Sequence, residues 1–95
     1  MSYPSPVPIK TPRGPEFRFL AANIVRLRRE LGLSQAQLAE RVGLGVPSLS
    51  EIERAKVNLT LGTLLELAKA LRVKPDELLK PAKFVKAKKG RPAIA

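Results

Sequence analysis

The chain has no histidine and no cysteine, and Asp76 is the only aspartate among its eight acidic residues. The usual zinc sites, a histidine-based triad, a thiol nucleophile and a disulfide scaffold are therefore all excluded. A paired-carboxylate hydrolase would have to be built from glutamates alone, so neither an enzyme nor a metal or cofactor site is expected. The side chains are better equipped to hold anions. Eighteen Lys and Arg give a net charge of +10, which points to a polyanion, nucleic acid first and an anionic membrane surface second. Six of these cations (Lys80, Lys83, Lys86, Lys88, Lys89 and Arg91) follow one another with no acid between them. Gln35 lies in Ser34-Gln35-Ala36-Gln37, a capping-box sequence. It thus stands at an exposed helix start, where unpaired amides and the helix dipole favour a phosphate.

Helices must position these groups. Residues 1–16 hold Pro4, Pro6, Pro8, Pro12 and Pro15, a spacing that removes amide donors and predicts a flexible arm. From Phe17, the apolar residues Leu20, Ile24, Leu27 and Leu31 recur at helical intervals, and Gly32 ends that first helix. A second helix starts after Ser34 and carries Leu38, Ala39 and Val42 inward. Gly43-Leu44-Gly45 breaks it, and a third helix fits Val46 to Arg54, with Pro47 tolerated in its first turn. Thr60 is placed to cap a fourth helix with a Leu61, Leu64, Leu65, Ala68, Leu71 stripe. Pro75, Asp76 and Glu77 open a short fifth helix whose Leu78 and Leu79 supply apolar contact. No segment alternates like a strand. The expectation is an all-α domain over residues 17–79, of a size that buries only ~60% of its unfolded surface yet commonly folds alone, followed by a basic tail at 80–95. By region the arm contributes +1, the domain +3 and the tail +6 of the net charge.

Two short helices about a Gly-containing turn form the geometry that lays the second helix across a DNA major groove. The residues around that turn resemble a known family. Leu27-Arg28-Arg29-Glu30-Leu31-Gly32-Leu33-Ser34-Gln35-Ala36-Gln37-Leu38-Ala39-Glu40-Arg41-Val42-Gly43, then Ser50-Glu51-Ile52-Glu53-Arg54 and Thr63-Leu64-Leu65-Glu66-Leu67-Ala68-Lys69-Ala70-Leu71, are similar to the Cro/C1-type (XRE) helix-turn-helix domain. The resemblance implies a five-helix, lambda-repressor-like fold over roughly residues 20–79. It also implies that Gln35 bonds the DNA backbone and that Arg28 and Glu53 form a partly buried ion pair between the first and third helices. Arg54, Lys56 and Asn58 fall in the loop that approaches phosphates in such domains.

The base-facing positions of the family map onto Val46, Pro47, Ser48 and Glu51. Polar residues usually stand there. In this chain two of the four are apolar and suit a thymine methyl group, whereas Glu51 can accept only from a cytosine amino group. Gly45 occupies a place commonly held by Ser or Thr, and Ala55 one commonly held by Gly. If the backbone at Ala55 is left-handed, the methyl group costs about 1 kcal/mol or more. In the tail, Lys88-Lys89-Gly90-Arg91-Pro92 resembles an AT-hook, which binds the minor groove; the alternative is a solvated basic tail that adds non-specific affinity.

These observations lead to a sequence-specific DNA-binding transcriptional regulator, repressor-like and homodimeric, with the helix at 46–54 in the major groove of double-stranded DNA. The competing reading is a protein-interaction adaptor of the same fold, an antitoxin or coactivator, using Leu44, Val46 and Leu59 as exposed apolar contacts. Helix five and the Leu59–Leu61 stretch are candidate dimer surfaces. With no apolar run of the ~20 residues that span a bilayer and no basic-then-apolar start, the expected location is the cytoplasm, on the nucleoid. Deleting residues 80–95 should flatten the salt dependence of DNA affinity by up to ~0.9 in log–log slope for each phosphate a tail cation neutralises. Titrations at several salt concentrations measure this, and an unchanged slope would rule out tail contact.

Overall fold

Proline fixes a helical φ, and its missing amide is no loss in a first turn; accordingly α1 (Pro15–Glu30) begins two residues ahead of the expected Phe17 start. The structure, a computed structural model, describes residues 14–83. The arm up to residue 13 and the tail cations Lys88, Lys89 and Arg91 lie outside the described residues. After α1 come α2 (Gln35–Val42), α3 (Val46–Glu53) and α4 (Leu61–Ala70). The expected fifth helix is instead a single 3₁₀ turn, Pro75–Leu79, so the described residues form four α-helices. Only five residues stand between Lys74 and Lys80 in this element, too few to propagate an α-helix. Its start is held by the Lys74 amide donating to Glu77 Oε2 at 2.9 Å. No strand occurs among the described residues.

All four helices end in the same way. Each passes into one left-handed residue: Gly32, Gly43, Ala55 and Arg72, with φ of 71°, 73°, 58° and 63°. The amide of the next residue then reaches back to a carbonyl of the last turn: Leu33 to Arg28, Leu44 to Ala39, Lys56 to Glu51 and Val73 to Ala68, at 2.9–3.0 Å. These bonds satisfy carbonyls that a helix end leaves orphaned. Leu33, Leu44 and Val73 follow with apolar side chains packed on the core, whereas Lys56, after α3, is exposed. The expected capping box of α2 is present, with Ser34 Oγ accepting from the Gln37 amide at 3.0 Å and Gln37 Oε1 accepting from the Ser34 amide at 2.8 Å. Thr60 caps α4 through the Thr63 amide.

The core joins Leu20 and Ile24 of α1 to Leu38 and Ala39 of α2, Leu49 and Ile52 of α3, Leu67, Ala68 and Leu71 around α4, and Leu78. Two stripes read from the sequence turn out differently. Leu31 is exposed, and Arg28 takes the buried place near the end of α1. In α4 the inward face is Leu64, Leu67, Ala68 and Leu71, while Leu61 and Leu65 face outward at 68% and 45% exposure. A helix with leucine at 61, 64, 65, 67 and 71 satisfies helical period on more than one face, and packing against α2 and the 3₁₀ turn selects one of them. Leu79 is likewise exposed, leaving Leu78 as the buried contact of the 3₁₀ turn. Asn23, absent from the sequence reading, is buried in α1 and donates through Nδ2 to the Leu78 and Lys80 carbonyls at 2.9 and 3.0 Å. It ties the start of the domain to its end.

The left-handed exits can be tested as a pair. Ala55→Gly should raise the unfolding free energy by about 0.5–1 kcal/mol, because relief of the Cβ clash exceeds the added chain entropy. Gly43→Ala, where an added Cβ would meet nothing within 4 Å, should lower it by about 1 kcal/mol through backbone strain alone. Urea denaturation midpoints report both; opposite signs are required.

Candidate nucleic-acid interface

The angle between α2 and α3 depends on one buried cluster of charge. Arg28 and Glu53 are only 9% and 7% exposed, and they meet in a two-pronged pair, Nε to Oε2 at 2.7 Å and Nη2 to Oε1 at 3.2 Å. The remaining Arg28 nitrogen, Nη1, donates to the Leu33 carbonyl at 2.9 Å. Gln35 completes the set by donating from Nε2 to Glu53 Oε1 at 2.8 Å. One guanidinium–carboxylate pair thus fastens the end of α1, the α1–α2 turn, the first residue of α2 and the last residue of α3. A planar fork matched to a carboxylate is the strongest form of such a pair. Among the described residues, no buried side-chain polar atom lacks a partner.

The family resemblance implies the pairing of Arg28 with Glu53, whereas nothing in the sequence places Gln35 in the same cluster. Its capping-box position pointed outward to solvent, and only the approach of α3 supplies the acceptor. An amide nitrogen carries two hydrogens, so the bond to Glu53 occupies one and orients the other.

Helix α3 turns its two sides to different worlds. Leu49, Ile52 and Glu53 are buried, whereas Val46, Pro47, Ser48 and Glu51 are exposed. At about 100° per residue, Pro47 and Glu51 lie some 40° apart at the centre of the outward face, with Val46 and Ser48 on its flanks. All four base-facing candidates therefore share the accessible side of one helix. Its start has no side-chain cap, because Gly45 stands at the N-cap in an extended conformation. Its eight residues include no Lys, Arg, Asn or Gln.

Beyond α3, Arg54 and Lys56 are exposed on either side of left-handed Ala55. The Arg54 side chain bends back to the Ser50 carbonyl at 3.4 Å. The Lys56 amide, bonded to the Glu51 carbonyl, sets where that side chain leaves the chain. Asn58 lies further along the same loop, in an open groove between α3 and the start of α4 that Ser48, Glu51, Thr60 and Thr63 also line. Thr63 was not among the sequence candidates; its spacing from the Thr60 cap is the signal that marks it. Leu44 and Leu59 are half-buried, each packed on the core on one side and lining this groove on the other, and Val46 is the exposed one of the three.

Comparison with known proteins accords with this geometry. A helix-turn-helix family model matches residues 24–78. An HTH-type transcriptional regulator from Sinorhizobium fredii, y4dJ, is 44% identical over 64 residues, covering 67% of this chain and 83% of that protein. The restriction-modification controller protein C.AhdI from Aeromonas hydrophila superposes with a TM-score of 0.64 at 34% identity, over 68% of this chain and 98% of that one. The P22 c2 repressor, solved in complex with a synthetic operator, gives a TM-score of 0.61 at 36% identity, over 64% and 92% of the two chains.

Arg28→Met alone should destabilise the domain by about 3–5 kcal/mol, since it strands the Glu53 charge in the interior. Combining Arg28→Met with Glu53→Leu should recover most of that loss. Thermal melts of both single variants and the double variant form the cycle, and additive losses would deny the coupling.

Proposed function

The chain belongs to the Cro/C1-type helix-turn-helix family of DNA-binding transcription regulators, and from that premise we propose that it is a sequence-specific, repressor-like regulator that lays α3 in the DNA major groove. One observation carries the reading: the Arg28–Glu53–Gln35 cluster holds α3 so that Val46, Pro47, Ser48 and Glu51 project together from the domain. A helix presented in this way fits the width of the major groove.

Phosphates on either side would be met by the second amide hydrogen of Gln35 and by Arg54, Lys56 and Asn58, which set position rather than sequence. The basic tail adds further contacts along the duplex. Base reading falls to the centre of α3, where Val46 and Pro47 suit thymine methyl groups, Ser48 suits several edges and Glu51 suits the cytosine amino group. The protein acts as a homodimer on the nucleoid, its two α3 helices about 34 Å apart on a near-palindromic site. Exposed Leu61 and Leu65 offer α4 as a surface for the second copy. The adaptor reading would use exposed Val46 together with the sides of Leu44 and Leu59 that line the groove beside α3.

Selection of bound sites from random duplex DNA, followed by footprinting, tests the proposal. Two protected half-sites one helical turn apart are expected, with pyrimidines opposite α3. Glu51→Gln should transfer preference at one position from cytosine to adenine, a change worth about 1–3 kcal/mol. Affinity indifferent to sequence would overturn the reading.

A further inference from the structure

Helix α3 lacks every side chain that makes a two-pronged contact with a purine, since it has no Arg, Lys, Asn or Gln. At the centre of its outward face stand only a carboxylate and a saturated ring, Glu51 and Pro47, in one row a single turn apart. Side chains so placed are neighbours, with Cβ atoms about 5–6 Å from each other.

An ionised carboxylate accepts hydrogen bonds and cannot donate them. Guanine offers two acceptors in the major groove and thymine offers O4, so both repel it. Adenine has a donor at N6, but the N7 acceptor lies beside it. Cytosine has a donor at N4, and its neighbour on the groove edge is C5, which bears only hydrogen. A methyl group on C5 would occupy the place of the thymine methyl, next to the amino group that Glu51 needs.

We propose that Glu51 and Pro47 together read 5-methylcytosine, the carboxylate accepting from N4 while the pyrrolidine ring covers the 5-methyl group. Thymine supplies the methyl group without the donor, and unmodified cytosine supplies the donor without the methyl group. Only 5-methylcytosine satisfies both residues, so the affinity of this chain follows the methylation state of its DNA site. The proposal rests on the reading that α3 enters the major groove, and adds to it the identity of the base.

The test uses the full chain and the duplex recovered by selection from unmodified random DNA. Each cytosine of the half-site is replaced in turn by 5-methylcytosine or thymine, and binding is followed by fluorescence anisotropy. At one position 5-methylcytosine should tighten binding about fourfold, the effect of burying one methyl group, and thymine should weaken it about tenfold or more. Pro47→Ser should abolish the gain from methylation yet keep the preference for cytosine over thymine. Glu51→Gln, whose amide can donate to O4, should narrow that preference, and circular dichroism melts establish that both variants fold. Methylation that is neutral or weakening at every cytosine, or a gain that survives in Pro47→Ser, would overturn the proposal while leaving site-specific binding intact. A selection that yields no preferred sequence would instead overturn the placement of α3, and this proposal with it.

Discussion

Everything outward in this domain depends on one inward contact, the Arg28–Glu53 pair. A charge taken out of water is costly unless its partner and remaining donors are all satisfied. Arg28 meets that requirement with two bonds to Glu53 and one to the Leu33 carbonyl, and Glu53 meets it with Arg28 and Gln35. The geometry that satisfies all these groups fixes how α1, α2 and α3 cross. Apolar residues such as Leu38, Leu49 and Ile52 drive burial but tolerate small slips, because dispersion and the hydrophobic effect are not directional. The ion pair adds direction. It thereby converts a packed bundle into one that presents a chosen face of α3.

The left-handed helix exits perform a related task for the chain path. Each closes a helix with a backbone bond and turns the next residue toward the core, as with Leu33, Leu44 and Val73. After α3 the following residue is Lys56, and the same turn delivers a cation to the surface beside the outward face. Ala55 holds a backbone conformation that glycine would adopt with less strain. Charge is distributed to match: the domain is only weakly basic, α3 holds two acids, and most of the excess lies in the tail. The charge excess and the outward face of α3 thus lie in different parts of the chain.

Much of the fold was legible because its causes are local. Helical period, Pro47 in a first turn, the Ser34–Gln37 box, the Thr60 cap and the glycines at 32 and 43 act over three or four residues, and the structure contains each of them. The misreadings share a different origin. Leu31, Leu61, Leu65 and Leu79 fit helical stripes yet face outward, because a leucine-rich segment offers more than one apolar face. The fifth helix shortened to a 3₁₀ turn, as so short an element between Lys74 and Lys80 gains shape mainly from docking Leu78. Buried Asn23 left no trace in the pattern, since its partners stand 55 and 57 residues away.

The sequence by itself determined the helices and their ends, the absence of histidine and cysteine chemistry, the uneven charge, and through the family resemblance the pairing of Arg28 with Glu53. Only the tertiary structure decided that Gln35 joins that pair across 18 residues, which face of α4 is buried, that Leu44 and Leu59 pack partly against the core, and that Pro47 and Glu51 share the centre of an open surface. The division follows the range of the forces. Propensity, capping and charge count are properties of short segments, whereas the choice between two equally apolar faces, or between solvent and a buried carboxylate for one amide, is made only when distant segments meet.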